Sequence, residues 1–223
     1  MSVNVWKSEY FDVYDPVLLN SDIYLAVRDF HIKAMDDYPI VLDSGCGTGN
    51  VTSELLKNGH IVHAIDNSKK PLDILKRKCS KYAGKLHIHN MNVSDLSFEK
   101  EMFDAITSMF VVYYLNNIEE YLRENYRVLK TNGIFALTGR VSSDNMELVL
   151  QSYEQSLQNK ELLPALETEF LRFKEKFLNN VTKAVNGNTF EEMKSILEDI
   201  GFRDITQYPN PYFGQCYSLI AHK

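Results

Sequence analysis

The stretch "VLDSGCGTGN", residues 41–50, decides the fold. An apolar run ends in Asp43, and glycine then stands at every second position as Gly45, Gly47 and Gly49. Glycine is needed where φ is positive or where a Cβ would block a close approach. A glycine loop that leaves a strand and opens a helix turns backbone N–H groups toward a ligand. Phosphates, dinucleotides and other nucleosides all use such loops, and a tight turn without a ligand has the same outline.

Outward from the loop, strand-like and helix-like segments alternate, which is the mark of a parallel α/β sheet. "YPIVLDS" (38–44), "HIVHAID" (60–66), "KLHIHNM" (85–91), "FDAITSMFV" (103–111) and "GIFALTG" (133–139) are expected strands. "NVTSELLKNG", "SKKPLDILKRKCSKYAG" and "NNIEEYLRENYRVLKTNG" are the helices between them. Asn117 with Glu120 and Thr189 with Glu192 fit capping boxes, and Gly59, Gly84 and Gly201 fall where helices stop. "TFEEMKSILEDIGF" adds an amphipathic helix, followed by the strands "RDITQYP" and "QCYSLIAHK".

Two segments break the alternation. Residues 17–37 are expected to form a helix ahead of the first strand, within an N-terminal segment (1–37) lying over the site. Residues 143–185 form a helical insertion whose stripes run Met146, Val149, Leu150, Tyr153, Leu157 and then Leu166, Phe170, Phe173, Phe177, Val181. Core packing and a cap over the glycine loop both require such stripes. The expected organisation is one domain over 1–223, with 143–185 as its cap.

Asp66 ends the second strand, 17 residues past Gly49. In a doubly wound sheet a carboxylate there lies beside the loop, where it can accept the two hydroxyls of a ribose. It can also cap the helix after "DNS". The dinucleotide fingerprint G-x-G-x-x-G is not met, because the third glycine comes one residue early. A nucleotide-triphosphate loop is absent too, since no lysine follows Gly49.

"VLDSGCGTGN" resembles the first motif of the class I S-adenosylmethionine-dependent methyltransferases, and the resemblance extends over roughly residues 38–140 and 188–222. "VHAIDNS", "FDAITSMFVVYYL", "YRVLKTNGIFALT" and "FEEMKSILEDIGF" are similar to the later motifs, in the same order. The resemblance implies a Rossmann-like seven-stranded sheet, order 3-2-1-4-5-7-6, with the last strand antiparallel and helices on both faces. It implies S-adenosyl-L-methionine as cofactor and S-adenosyl-L-homocysteine as product. Asp43 and the backbone of Gly45, Cys46, Gly47 and Gly49 would surround the methionine part. Asp66 would hold the ribose and Asn67 would flank the adenine. Asn92, where relatives usually carry aspartate, and Val93 would meet the adenine ring, and Ser108 and Met109 would lie under the methyl group. Tyr10 would fold over the cofactor.

The implied reaction is in-line methyl transfer to an O, N or C atom of a small-molecule acceptor. Positioning can supply most of such catalysis, so no obligatory triad is expected. Tyr14, Tyr113, Tyr114 and Arg140 are the candidate acceptor contacts, against packing roles for the tyrosines and a surface ion pair for Arg140. His31, His87 and His89 read as structural or exposed. "PNPYFG" (209–214) is similar to the N-P-P-Y signature of amino-methylating enzymes, but it stands between the last two strands and reads as a turn. Lys69, Lys70, Lys76, Arg77, Lys78 and Lys81 read as a solvated basic face.

The whole chain narrows the field. With 30 acidic against 24 basic residues and a net charge of -6, the balance argues against a nucleic-acid partner. At 223 residues the chain buries about 70–75% of its extended surface without staples. Cys46, Cys79 and Cys216 have no metal-like spacing, no metal is expected, and their odd number suits a reducing, cytoplasmic setting. The first residues lack a basic and apolar leader pattern, and no run has the eighteen or so apolar residues of a membrane span. No oligomeric state follows. The alternatives are a protein that holds the cofactor without transferring methyl, and a protein or RNA methyltransferase; a nicotinamide dehydrogenase stands further off.

Overall fold

The computed structural model describes residues 11–141, 145–181 and 187–223. Seven strands form one sheet: β1 (Ile40–Ser44), β2 (Ile61–Asp66), β3 (Leu86–Asn90), β4 (Phe103–Met109), β5 (Leu129–Arg140), β6 (Arg203–Tyr208) and β7 (Cys216–His222). Their order is 3-2-1-4-5-7-6. Neighbours from β3 to β5 pair in parallel, and β7 runs antiparallel between β5 and β6. The register sets Asp43 beside Ala64 and Thr107, so β1, β2 and β4 deliver their last residues to one edge. At that edge the chain reverses its helix-strand order, the place where open α/β sheets bind ligands.

Among the described residues the α-helices are α1 (Phe11–Leu18), α2 (Asp22–Ala34), α3 (Asn50–Lys57), α4 (Lys69–Lys78), α5 (Ile118–Val128), α6 (Met146–Asn159), α7 (Leu163–Val181) and α8 (Phe190–Ile200). Strand residues alternate between two cores. Leu42, Ile65, Ile106, Phe135 and Leu137 pack with Tyr121 and Leu122 of α5 and Met193 and Leu197 of α8. Val41, Val62, Ala64, Ala105 and Ala136 pack with Leu55 of α3, Leu72 and Leu75 of α4 and Met35. A third core joins Val13 and Val17 of α1, Tyr24 and Val27 of α2, and Val149, Leu150, Tyr153, Leu157, Phe170 and Phe173 of α6 and α7. Both stripes of the insertion are thus packed inward as far as Phe177, the Val181 side chain lying outside what the structure describes.

Four local expectations are corrected. The helix expected over 17–37 is two helices, interrupted at Leu19–Ser21, where Asn20 donates to the Pro16 carbonyl at 2.8 Å and Ser21 is extended. Side chains of this kind compete with helical backbone bonds. The helix expected to run through 133 ends at Val128, and β5 starts at Leu129, pairing with Phe103 before a bulge. Asn117 makes half a capping box, accepting from Glu120 N–H, whereas Thr189 and Glu192 make both halves. The strand expected through 111 stops at Met109, because Phe110 takes φ 61° and turns the chain into a 3-10 turn, Val112–Tyr114. Holding a bulky residue there costs about 1–3 kcal/mol, a strain that clusters at ligand sites.

Candidate active site

Between the edge of the sheet and helices α1, α6 and α7 lies a cavity of about 420 Å³, within the range of small-molecule sites. Asp43, Gly45, Cys46, Gly47, Asp66, Asn67, Asn92, Val93 and Met109 line it, as do Tyr14, Tyr113, Tyr114 and Arg140. Fifteen of the site residues expected from sequence lie within the described residues, and these thirteen meet at one place. Gly49 and Ser108 do not line it. Tyr10 lies outside the described residues.

Gly49, at φ 79°, precedes the first residue of α3, and a Cβ there would run into the Leu75 side chain. Its absent side chain serves helix packing. Ser108 is fully buried and accepts from Tyr121 Oη at 2.6 Å, facing α5.

The loop's own hydrogen bonds identify the charge it suits. Gly45 and Cys46 N–H both donate to the Ile65 carbonyl at 2.9 Å, and Gly49 N–H donates to Cys46 at 2.9 Å. Gly47 N–H donates to Asp66 Oδ2 at 3.1 Å. Four amides that would have cradled a phosphate are therefore engaged inside the protein. The groups left facing the cavity include the Asp43 and Asp66 carboxylates, which favour a cationic, hydroxyl-bearing ligand over a phosphate. At Gly47, φ 51°, a Cβ would project into open space.

Asp66 caps the turn that follows β2 and keeps acceptor positions toward the cavity. Its Oδ1 accepts from Ser68 N–H at 2.8 Å, so the capping role is real. An ionised carboxylate has about four acceptor positions, and two amides leave one on each oxygen for a ribose diol. Burial raises its pKa, while the Ser68 and Gly47 amides lower it. Asp43 accepts from Thr52 Oγ1 at 2.5 Å. Burial pushes it up to about 6, opposed by the Thr52 hydroxyl and amide. A positive charge seated alongside would return it to the ionised form. Asn92 Oδ1 accepts from Ser94 N–H at 3.1 Å, a local turn that keeps one acceptor position for an adenine amino group.

Sequence reasoning missed several lining residues. Tyr212, inside the "PNPYFG" turn, reaches the cavity and bonds Tyr153 Oη at 2.8 Å; Cys216 and Phe110 also line it. The turn is anchored from within. Thr107, His31, Thr138 and Ser218 form a buried chain with links of 2.8, 2.8 and 2.9 Å, and Asn210 donates into it at 2.8 Å. Burial lowers His31 to about 3, so it stays neutral.

Asp15 of α1 accepts from Thr48 Oγ1 (2.7 Å), Asn50 Nδ2 (3.0 Å) and Lys78 Nζ (2.7 Å). These bonds tie α1 to the glycine loop and withdraw Lys78 from the basic face expected for α4. Tyr113 is pushed well above its ordinary value and Tyr114 to about 12, chiefly by burial. Neither is a phenolate base at neutral pH. The surroundings supply position and charge, and among the described lining residues burial raises both strand-end carboxylates, Asp43 to about 6.

Residues 42–137 match the family described as "Methyltransferase domain", and the sheet order 3-2-1-4-5-7-6 is the one that the resemblance to class I S-adenosylmethionine-dependent methyltransferases implies. Among particular proteins, the chain is 31% identical over 112 residues to the ubiquinone biosynthesis O-methyltransferase of Pelagibacter ubique, covering 48% of this chain and 46% of that protein. It is 26% identical over 192 residues to the demethylmenaquinone methyltransferase of Leptospira interrogans, covering 82% and 74%. The chain thus spans 38–50% of the length of the curated relatives it matches above 30% identity. The same fold is seen in the 1,6-didemethyltoxoflavin-N1-methyltransferase of Burkholderia thailandensis, solved with 1,6-didemethyltoxoflavin and S-adenosylhomocysteine. That structure has a TM-score of 0.65 and 19% identity, covering 97% of this chain and 84% of that one. Among the described residues no helix is long and apolar enough to cross a membrane, and no group of three or more His, Cys, Asp or Glu is placed to hold a metal.

Proposed function

We propose that this protein transfers a methyl group from S-adenosylmethionine to an O, N or C atom of a small-molecule acceptor, by in-line displacement. The observation that carries the reading is the glycine loop whose amides are engaged internally while Asp43 and Asp66 line the cavity. When bound, the cofactor supplies an activated methyl group on a sulfonium. Asp66 would accept the ribose hydroxyls, Asn92 and Val93 would border the adenine, and Met109 with the turn at Phe110 would border the reacting end. The residues α1, α6 and α7 contribute would cover the acceptor and exclude water. Alignment of two held reactants is worth up to about 7–11 kcal/mol, enough for a good leaving group without a dedicated base.

A small acceptor is favoured over nucleic acid because the chain is net acidic and aromatic side chains, among them Tyr14, Phe110, Tyr153 and Tyr212, line part of its cavity. Three buried free cysteines suit a reducing cytoplasm. Calorimetry with S-adenosylhomocysteine against NAD tests the cofactor, and labelled S-adenosylmethionine against metabolite pools tests the transfer. Micromolar homocysteine-product binding, no NAD binding and a labelled small product are expected. Tight binding with no labelled product in any pool would leave a cofactor-holding protein instead.

A further inference from the structure

Tyr153 of α6 and Tyr212, in the turn ahead of β7, both line the cavity, and each is 2% exposed. Their hydroxyls bond each other at 2.8 Å, and neither makes a further hydrogen bond to the protein. Burial raises both well above the ordinary phenol range, so both hydrogens stay in place at every physiological pH. A tyrosine hydroxyl carries a single hydrogen. The pair therefore brings two, and the bond between them uses one. Whichever member donates, the other's hydrogen has no acceptor in the protein.

Tyr24 of α2, on the same cavity, has the same polarity. Lys78 Nζ can only donate, and it holds Asn50 Oδ1 at 2.7 Å. The Asn50 NH₂ group is thereby turned to Tyr24, whose oxygen accepts at 3.0 Å and whose hydrogen is left over. The proximity of Tyr24 also raises the Tyr153 and Tyr212 hydroxyls. This wall of the cavity has hydrogens to give. A buried donor left unmet carries the full cost of its lost water, so the wall calls for an oxygen on whatever fills the space.

The surroundings select the kind of oxygen. Phe110, Met146 and Phe177 line the same cavity, and the rings of Phe110 and Phe177 stand 5.2 and 6.0 Å from those of Tyr212 and Tyr153. An ionised oxygen among apolar groups needs a countercharge, whereas a neutral carbonyl needs only the donor.

Resting on the methyltransferase reading above, we infer that the Tyr153–Tyr212 pair is a specificity-determining donor site that selects a methyl acceptor carrying an uncharged carbonyl oxygen. The carbonyl takes the spare hydrogen of the pair, and the apolar body of the molecule lies among Phe110, Met146 and Phe177. Tyr153→Phe leaves Tyr212 with its hydrogen and no partner for it, and Tyr212→Phe does the same for Tyr153. Each single variant thus keeps a donor, and only the double variant has none.

The test uses the full chain and calorimetry. Wild type is first titrated with S-adenosylhomocysteine; no binding there overturns the cofactor reading itself. With that ligand saturating, carbonyl compounds and oxygen-free partners of matched shape are titrated: acetophenone against ethylbenzene, 1-indanone against indane, and indole-3-carbaldehyde against 3-methylindole. At least one carbonyl compound is expected to bind about fivefold or more tighter than its partner. That advantage stays above about threefold in each single variant and falls below about twofold in the double variant. Homocysteine-product affinity reports that each variant is folded. A pair that served packing alone would shift the melting temperature and leave the ratio unmoved. Carbonyl compounds binding no tighter in wild type, absence of binding by every probe included, an advantage that both single replacements abolish, or one that survives the double replacement, overturns the inference while leaving the cofactor reading standing.

Discussion

Replacing Asp66 by asparagine isolates the ribose contact from the rest of the site. In the wild type each carboxylate oxygen accepts one amide, Ser68 at 2.8 Å and Gly47 at 3.1 Å, and keeps one acceptor position for a hydroxyl. Asparagine exchanges one of those oxygens for an NH₂ group, so one hydroxyl loses its acceptor and one backbone amide meets a donor. A hydrogen bond to a charged group is worth about 1.5–3 kcal/mol net. At about 1.4 kcal/mol per tenfold, the dissociation constant of S-adenosylhomocysteine should rise about 10- to 150-fold. Calorimetry measures it, with thermal unfolding of the unliganded variant separating lost contacts from lost structure. A 2′,3′-dideoxyribose analogue completes the cycle: it should bind wild type poorly and discriminate far less in Asp66→Asn. A variant within threefold of wild type, or one that penalises the dideoxy analogue as strongly as wild type does, refutes the assignment of Asp66 to the ribose.

The Asp43 carboxyl, raised to about 6 by burial, is mostly protonated at pH 5 and ionised at 7.5. S-adenosylhomocysteine, whose ammonium prefers the ionised form, should therefore bind about tenfold more weakly at pH 5, and Asp43→Asn should flatten that profile in calorimetry. His31 behaves in the other sense with respect to stability. It is held near 3 in the fold against about 6.5 in the unfolded chain, so its contribution is intact above pH 6.5 and is lost as pH falls toward 3. At pH 5 the loss is roughly 2 kcal/mol. The raised Asp43 offsets part of it, so the measurement is the difference between wild type and His31→Gln in urea unfolding at pH 7.5 and 5. Gly49→Ala, left-handed and facing Leu75, should cost about 1–3 kcal/mol and lower the melting temperature by roughly 3–10 °C. Gly47→Ala carries a left-handed backbone cost of about 1–2 kcal/mol, but its Cβ meets nothing in the protein, so it should in addition weaken S-adenosylhomocysteine binding in calorimetry.

The chemistry of the loop was only half legible. Three glycines after a strand exclude most bulky turns, and the early third glycine excludes the dinucleotide fingerprint. The decision between anion and cation needed the amides of Gly45, Cys46 and Gly47, because where an N–H points depends on β2 arriving alongside. Gly49 and Ser108 illustrate the same limit from the other side. Each sits in the right motif, yet Leu75 and Tyr121, distant in sequence, take up the space each faces.

Element type and order came from patterns spanning a few residues: alternating apolar positions, caps, and glycines at turns. Those patterns act through local backbone sterics and one buried face, so adjacent residues suffice to encode them. The acceptor end of the cavity has no such local code. It is assembled from Tyr14 on α1, Phe110 after β4, Arg140 on β5, Tyr153 on α6, Tyr212 ahead of β7 and Cys216 at its start. These side chains meet only because the sheet order brings β4, β5 and β7 together and α1 is tied down by Asp15. The sequence by itself determined the strand-loop-helix turn and the carboxylate that stands beside it. Tertiary structure decided the charge that turn prefers and which side chains gather at the acceptor end, since electrostatics and hydrogen bonding act across space between groups that are remote along the chain.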